Sequence, residues 1–229
     1  FLLHCSSHFH CIFASRLQAV ASEPEIFWRG DHADKIIGGI RIPEELGTLT
    51  VPKYSRLNGP SGRALDEKFL RPLGLTRGDV WLCDLLPYSR VNENQKKAID
   101  SQYKQDLIQK YKLSPATIPL FDKKELNSPS RRAEILQELE YSKADTLVLL
   151  GDLPIYWFLR YFDKRYSRLA QFGVTPDSYG RNNLINIKEK PYKVIPLCHP
   201  RQAGRLGSSS TRWGLLHDQW VKRYESNSN

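Results

Sequence analysis

Three apolar runs, each closing on a polar residue, constrain this chain more than any other feature. They are "DVWLCDLL" (Asp79–Leu86), "DTLVLLGD" (Asp145–Asp152) and "YKVIPLCH" (Tyr192–His199). A strand that is apolar on both faces must be covered on both. Parallel sheets flanked by helices are where such strands occur. Helical patterns fall between the runs, in "NENQKKAIDSQYKQDLIQKY" (Asn92–Tyr111) and "SRRAEILQELEYSKA" (Ser130–Ala144), with "NGPSGRALDEKFLRPLGL" (Asn58–Leu75) ahead of the first. Alternating strands and helices define an α/β domain with crossover connections. At 229 residues a single domain with a sizeable core is expected. "LSPATIPLFDKKELNSPS" (Leu113–Ser130) reads as a surface loop, not a domain boundary.

The early chain is less regular. "IIGGIRIPEELGTLTVP" (Ile36–Pro52) reads as a hairpin outside the main sheet. The first parallel strand is placed either near Ile26–Trp28 or is lost with the N-terminus. Residues 1–24 are a candidate disordered or mis-set N-terminal segment, since the chain contains no methionine even at position 1. The opening residues faintly suggest a secretory h-region, but they lack a basic n-region and are broken by histidines, which excludes that assignment.

The formal net charge is +9, which favours a polyanionic partner. Aromatic and basic residues alternate in "YWFLRYFDKRYSR" (Tyr156–Arg168), a mix suited to phosphates and stacked bases. An amphipathic helix with snorkelling arginines fits that stretch equally well. Four cysteines are too few and too scattered for a disulfide framework. Cys83 and Cys198 close apolar strands and are expected as buried thiols, with a cytoplasmic location as the default. No apolar run reaches membrane-spanning length, so no membrane partner is expected. The cluster "HCSSHFHC" (His4–Cys11) is scattered near a terminus, and no metal is expected there.

Ligands of open parallel sheets bind at the carboxyl ends of the strands. That edge collects Asp84, Gly151, Asp152 and His199. Asp152 reads best as a cap for the helix starting at Leu153-Pro154. Asp84 either caps a turn or reads a ligand's polar edge. His199 either begins a helix incidentally or donates to a developing anion. Gly59, Ser61 and Gly62 stand at a helix start where backbone N–H groups can cradle an anion, or simply form an N-cap. "HPRQAGRLGSSSTRW" (His199–Trp213) puts Arg201, Arg205 and Arg212 around Leu206. An apolar side chain on a basic loop is a wedge used against stacked duplexes, and a disordered surface loop is the plainer alternative.

Taken in order, these stretches resemble the uracil-DNA glycosylase superfamily over roughly residues 58–224. "IPLCHPRQAGRL" is similar to its late His-Pro motif and inserting loop, "VWLCDLLPYSR" to its base-reading strand, and "TLVLLGDLPIYWFL" to the strand-Gly-helix unit between them. The resemblance implies a three-layer α/β/α sandwich around a four-stranded parallel sheet. It implies base excision from DNA, a monomer and no cofactor. His199 would stabilise the departing base, Asp31 would position water, and Asp84 and Tyr88 would hold the base. Gly59, Ser61, Gly62, Arg201, Gln202, Arg205 and Leu206 would contact DNA. Two departures stand out. The early motif is not recognisable beyond a poor match at "WRGDHADK" (Trp28–Lys35), and Asp84 replaces an amide that both donates and accepts. The four cysteines do not match an iron–sulfur spacing. Rival classes are a member that binds DNA or a nucleobase without excising it, and a small-molecule nucleotide hydrolase.

Overall fold

A computed structural model describes residues 1–4, 10–13, 18–21, 26–32, 35, 39, 59–87, 90–102, 105–112, 119–205 and 209–226. The chain divides into two compact units. One comprises Phe1–Ser6, Ser61–Pro87 and Lys123–Asn229; the other comprises Ser7–Pro60 and Tyr88–Asp122. The expected hairpin at Ile36–Pro52 lies outside the described residues.

The larger unit holds five strands: β1 (Leu2–His4), β4 (Leu82–Asp84), β5 (Thr146–Leu150), β6 (Asn183–Ile187) and β7 (Lys190–Leu197). Their spatial order is β4-β1-β5-β7-β6. The first four are mutually parallel, and β6 pairs antiparallel with β7 at the edge. The sheet is therefore mixed and five-stranded, not four-stranded and parallel. The added strand reads "NLINI", with Leu184 exposed and Ile185 and Ile187 buried. That period-2 alternation suits an edge strand covered on one face.

The first parallel strand is neither at Ile26–Trp28 nor absent: it is Leu2–His4, set between β4 and β5. Leu2 and Leu3 are buried. Pro196 lies within β7, where a proline is normally excluded. The N–H of Lys193 bonds toward β5 at Asp145, so the alternate residues of β7 face β6. The β6 register ends at Asn183↔Val194, and the donor that Pro196 lacks would point past that end.

Helix α1 (Pro60–Leu65) runs on through a π-helical turn, Asp66–Leu70, and a 3₁₀ turn, Arg71–Leu73. In the smaller unit, β2 (His10–Phe13) and β3 (Gln18–Ala21) form an antiparallel hairpin. α2 (Glu93–Gln102) and α3 (Gln105–Tyr111) follow it in the same unit. Back in the larger unit, α4 (Pro129–Tyr141) starts where Ser128 Oγ accepts the N–H of Arg131 and proline occupies the first turn. Its Ile135 and Leu139, one turn apart, are buried. α5 joins Asp152–Pro154, the π-helical Ile155–Leu159 and Arg160–Phe162. α6 (Pro200–Ala203) and α7 (Ser210–Ser226) complete the unit. The core gathers Leu147, Leu149, Val194, Leu197, Ile155, Phe158 and Trp220, all fully buried. Each such side chain contributes about 2 kcal/mol of transfer free energy.

Candidate functional site

Because β4, β1, β5 and β7 are parallel, their carboxyl ends meet one edge. That edge carries Asp84, His4, Gly151 and the pair Cys198-His199. The chain leaves β1 toward β4 and leaves β5 toward β7. The strand order thus reverses between β1 and β5, the place where open sheets form a ligand crevice. Asp84 and His199 stand three strand spacings apart, about 14 Å. They lie on opposite sides of that switch point and do not touch.

His199 is fixed by the helix it starts. Its Nδ1 accepts the N–H of Arg201 at 3.1 Å. Its own N–H donates to Gln202 Oε1 at 3.2 Å, and its carbonyl accepts the N–H groups of Gln202 and Ala203. Pro200 at the first helical position suits this start, since its missing N–H would have no partner there. A neutral imidazole that accepts at Nδ1 carries its proton on Nε2. Nε2 is shielded from solvent. The ring is therefore oriented as a donor. Gly151, at φ +92°, lies against it: a Cβ there would stand 3.3 Å from His199 Cβ. Only glycine accommodates that conformation and approach together.

Asp84 is fully buried. Its Oδ1 accepts the N–H of Leu86 at 2.9 Å, an Asx turn that reverses the chain after β4. Arg131 of α4 donates to the Asp84 carbonyl from Nη2 at 2.6 Å and from Nε at 3.2 Å. Glu134 and Glu138 hold the same guanidinium, and Trp81 Nε1 donates to Glu138. Cys83 is buried beside it, and burial pushes its thiol well above the ordinary range. Burial likewise pushes Cys198 up to about 12. Both are inert free thiols, as the sequence suggests.

Sequence reasoning missed the support behind His199. Pro72 has no N–H, so the carbonyl of Lys68 receives no α-helical bond from the residue four further on. His217 Nε2 donates to it at 2.9 Å. A carbonyl only accepts, so Nε2 carries the proton and His217 Nδ1 accepts from the Tyr179 hydroxyl, also at 2.9 Å. The Tyr179 oxygen in turn accepts the N–H of Cys198 at 2.8 Å, the residue just before His199. Every donor in this buried chain meets one acceptor. Burial lowers the His217 pKa to about 4, which keeps the ring neutral. The only signal in the sequence was a lone histidine on the inner side of a C-terminal helix.

The remaining expected residues fall into separate roles. Ser61 and Gly62 lie in α1, with Gly62 buried and its carbonyl accepting from Arg77 Nη2. α1 borders the His-Pro segment, since a Cβ at Gly204 would stand 4.0 Å from Ala64 Cβ. Arg201 is exposed, and the side chain of Gln202 is spent on His199. Arg205 clamps the loop onto α7, donating to Thr211 O at 2.9 Å and to Asp218 Oδ2 at 2.7 Å. Lys68 completes that clamp from the other side, on Ala203 O and Asp218 Oδ1. Asp152 does not cap α5 through its side chain; its Oδ1 accepts the N–H of Leu169, 17 residues on. Leu206 and Tyr88 lie outside the described residues. Asp31 and Gly59 belong to the smaller unit. There Asp31 pairs with Arg29 at 2.7 Å. Gly59, at φ +56°, packs against the backbone of Trp28, Arg29 and Gly30, where a Cβ would collide.

Among the described residues no group of three or more His, Cys, Asp or Glu could hold a metal ion, and no helix is long and apolar enough to cross a membrane. No family model matches this chain, and no curated protein matches it.

Proposed function

We propose that this chain is a DNA glycosylase that hydrolyses the N-glycosidic bond of a deaminated or damaged base flipped out of DNA. The observation that carries this reading is the bond from the Arg201 N–H to His199 Nδ1. A strand delivers His199 to the switch-point edge, and its Nδ1 accepts a backbone N–H, so the neutral ring carries its proton on Nε2. As the C1′–N bond breaks, the bonding electrons leave with the base and the sugar becomes an oxocarbenium ion. A preorganised N–H is worth most against the anion that forms then. Water adds its oxygen to C1′, and its proton passes to the base. Asp84, as a carboxylate, accepts and does not donate, so it suits a base edge that presents an N–H, or must itself be protonated. Arg201 and the net charge of +9 favour a phosphate backbone.

The fold that accompanies this reading is an α/β/α sandwich. A right-handed crossover from β1 to β4 puts α1 on one face, and right-handed crossovers from β4 to β5 and from β5 to β7, running the other way, put α4 and α5 on the opposite face, with α7 packing on the side of α1. Contacts within each pair support it: His217 meets Lys68, and Arg132 meets Tyr161.

End-labelled oligonucleotides carrying uracil, hypoxanthine or xanthine opposite each normal base test the activity. Alkali-labile abasic sites in one of them support excision, and the base chosen reports what Asp84 reads. Salt-sensitive DNA binding without abasic sites on any substrate would instead favour a protein that binds and does not cut.

A further inference from the structure

The aromatic–basic stretch that begins at Tyr156 is not used by the edge site. Ile155, Phe158 and Leu159 bury the inner side of α5, and Leu153, Tyr156 and Tyr161 stand out on the other at 38%, 42% and 67% exposure. The two tyrosine rings are nonetheless held in place. The Arg132 guanidinium, reaching from α4, sits 4.0 Å above the ring of Tyr161. Arg160 sits 4.9 Å above Tyr156, and Trp157 meets that ring edge-on at 4.8 Å. A snorkelling arginine would lay its stem on apolar surface and send its head to water. Here the guanidinium heads cover one ring face and leave the rings themselves in solvent.

Beyond Asp152 at the start of α5, the local charge is predominantly positive. Among the described residues Arg132, Arg160, Lys164 and Arg168 form no ion pair, and the one acid within 160–168, Asp163, is taken by Arg165. The stripe also starts at the candidate site. Asp152 opens α5 directly after Gly151, which lies against His199. From Leu153 to Tyr161 it runs about 12 Å along the helix.

We propose that this face of α5, with Arg132, binds single-stranded DNA. Tyr156 and Tyr161 stack on unpaired bases, and Arg160, Lys164 and Arg168 take the phosphates beside the target nucleotide. Rings fixed in advance lose little freedom on binding, and stacking accepts any base. The choice of DNA rests on the glycosylase reading of the edge site; the stacking itself does not.

Fluorescence anisotropy with a labelled oligothymidylate, a duplex of equal length and an oligouridylate tests it. The oligothymidylate should bind more tightly than either. Tyr156→Ala and Tyr161→Ala should each weaken it about tenfold, and the corresponding phenylalanine variants should restore it. Arg160→Ala should lower the salt slope by about one. Tyr141→Ala, exposed outside this stripe, should change nothing. Unchanged affinity in both alanine variants, or duplex bound as tightly as single strand, overturns the proposal. Preference for oligouridylate overturns its DNA assignment. His199→Ala should keep oligothymidylate binding while losing excision. Tyrosine-dependent binding in a wild-type protein that never excises would sink the glycosylase reading and leave the stacking face standing.

Discussion

The exits of β4 and β7 solve one problem in two ways. Each must hold a polar residue at the sheet edge, Asp84 in one case and His199 in the other. Behind Asp84 stands a charged cluster: Arg131 grips the turn carbonyl and is itself held by Glu134 and Glu138. Behind His199 stands a neutral relay through Tyr179 and His217 to Lys68 O. The charged support is partly open to solvent and tolerates changes in its surroundings. The neutral one is buried and works in a single protonation state, because protonating His217 would set a donor against the donor of Tyr179. Rigidity at the β7 exit is thus bought with pH sensitivity, and rigidity at the β4 exit with ion pairs.

The comparison breaks most readily at His217. Replacing it with alanine strands the Lys68 carbonyl and the Tyr179 hydroxyl and opens a cavity. A loss of about 4 kcal/mol is expected in denaturant unfolding. A loss under 1 kcal/mol would mean the relay supports nothing. Acidification acts on the same group. Its pKa falls from 6.5 unfolded to about 4 folded, so the unfolded chain binds the proton first as pH drops. The contribution of neutral His217 is complete above pH 6.5 and is lost as pH falls to about 4. The loss is on the order of 3 kcal/mol, read as a falling midpoint over that window. His217→Gln should flatten that window.

Arg131→Met tests the other exit. It removes two charge-assisted bonds from the Asp84 carbonyl, for a loss of about 2 kcal/mol with little dependence on pH between 5 and 7. Gly151→Ala sharpens the comparison at the seam, with a cost of about 1–2 kcal/mol from the positive φ and the contact with His199. Its excision rate should fall by more than its stability loss explains, because His199 must move. Arg205→Ala, on a half-exposed ion pair, should cost no more than about 1 kcal/mol.

What the sequence made legible follows the same division. The strands ending at Asp84, Gly151 and His199 were readable because continuous apolar runs announce parallel strands locally. β1 was not, because three residues carry no period and its partners lie about eighty and a hundred and fifty residues away. β6 escaped notice because asparagines interrupt its five residues, NLINI, and leave no continuous apolar run. The relay escaped because Tyr179 and His217 lie 38 residues apart, and Lys68 lies 149 from His217. The missing donor of Pro72 was visible in the sequence, but the residue that compensates for it was not. Arg205 looked like a phosphate contact because composition cannot reveal that Asp218 and Thr211 already hold it.

The central claim is that the β7 exit presents His199 Nε2–H to a departing base. Single-turnover excision by wild type and His199→Ala, with DNA affinity measured alongside, tests it most directly. A fall of about a hundredfold or more in rate with affinity unchanged is the predicted result. An equal rate in the two proteins would contradict it, because the donor would then be idle.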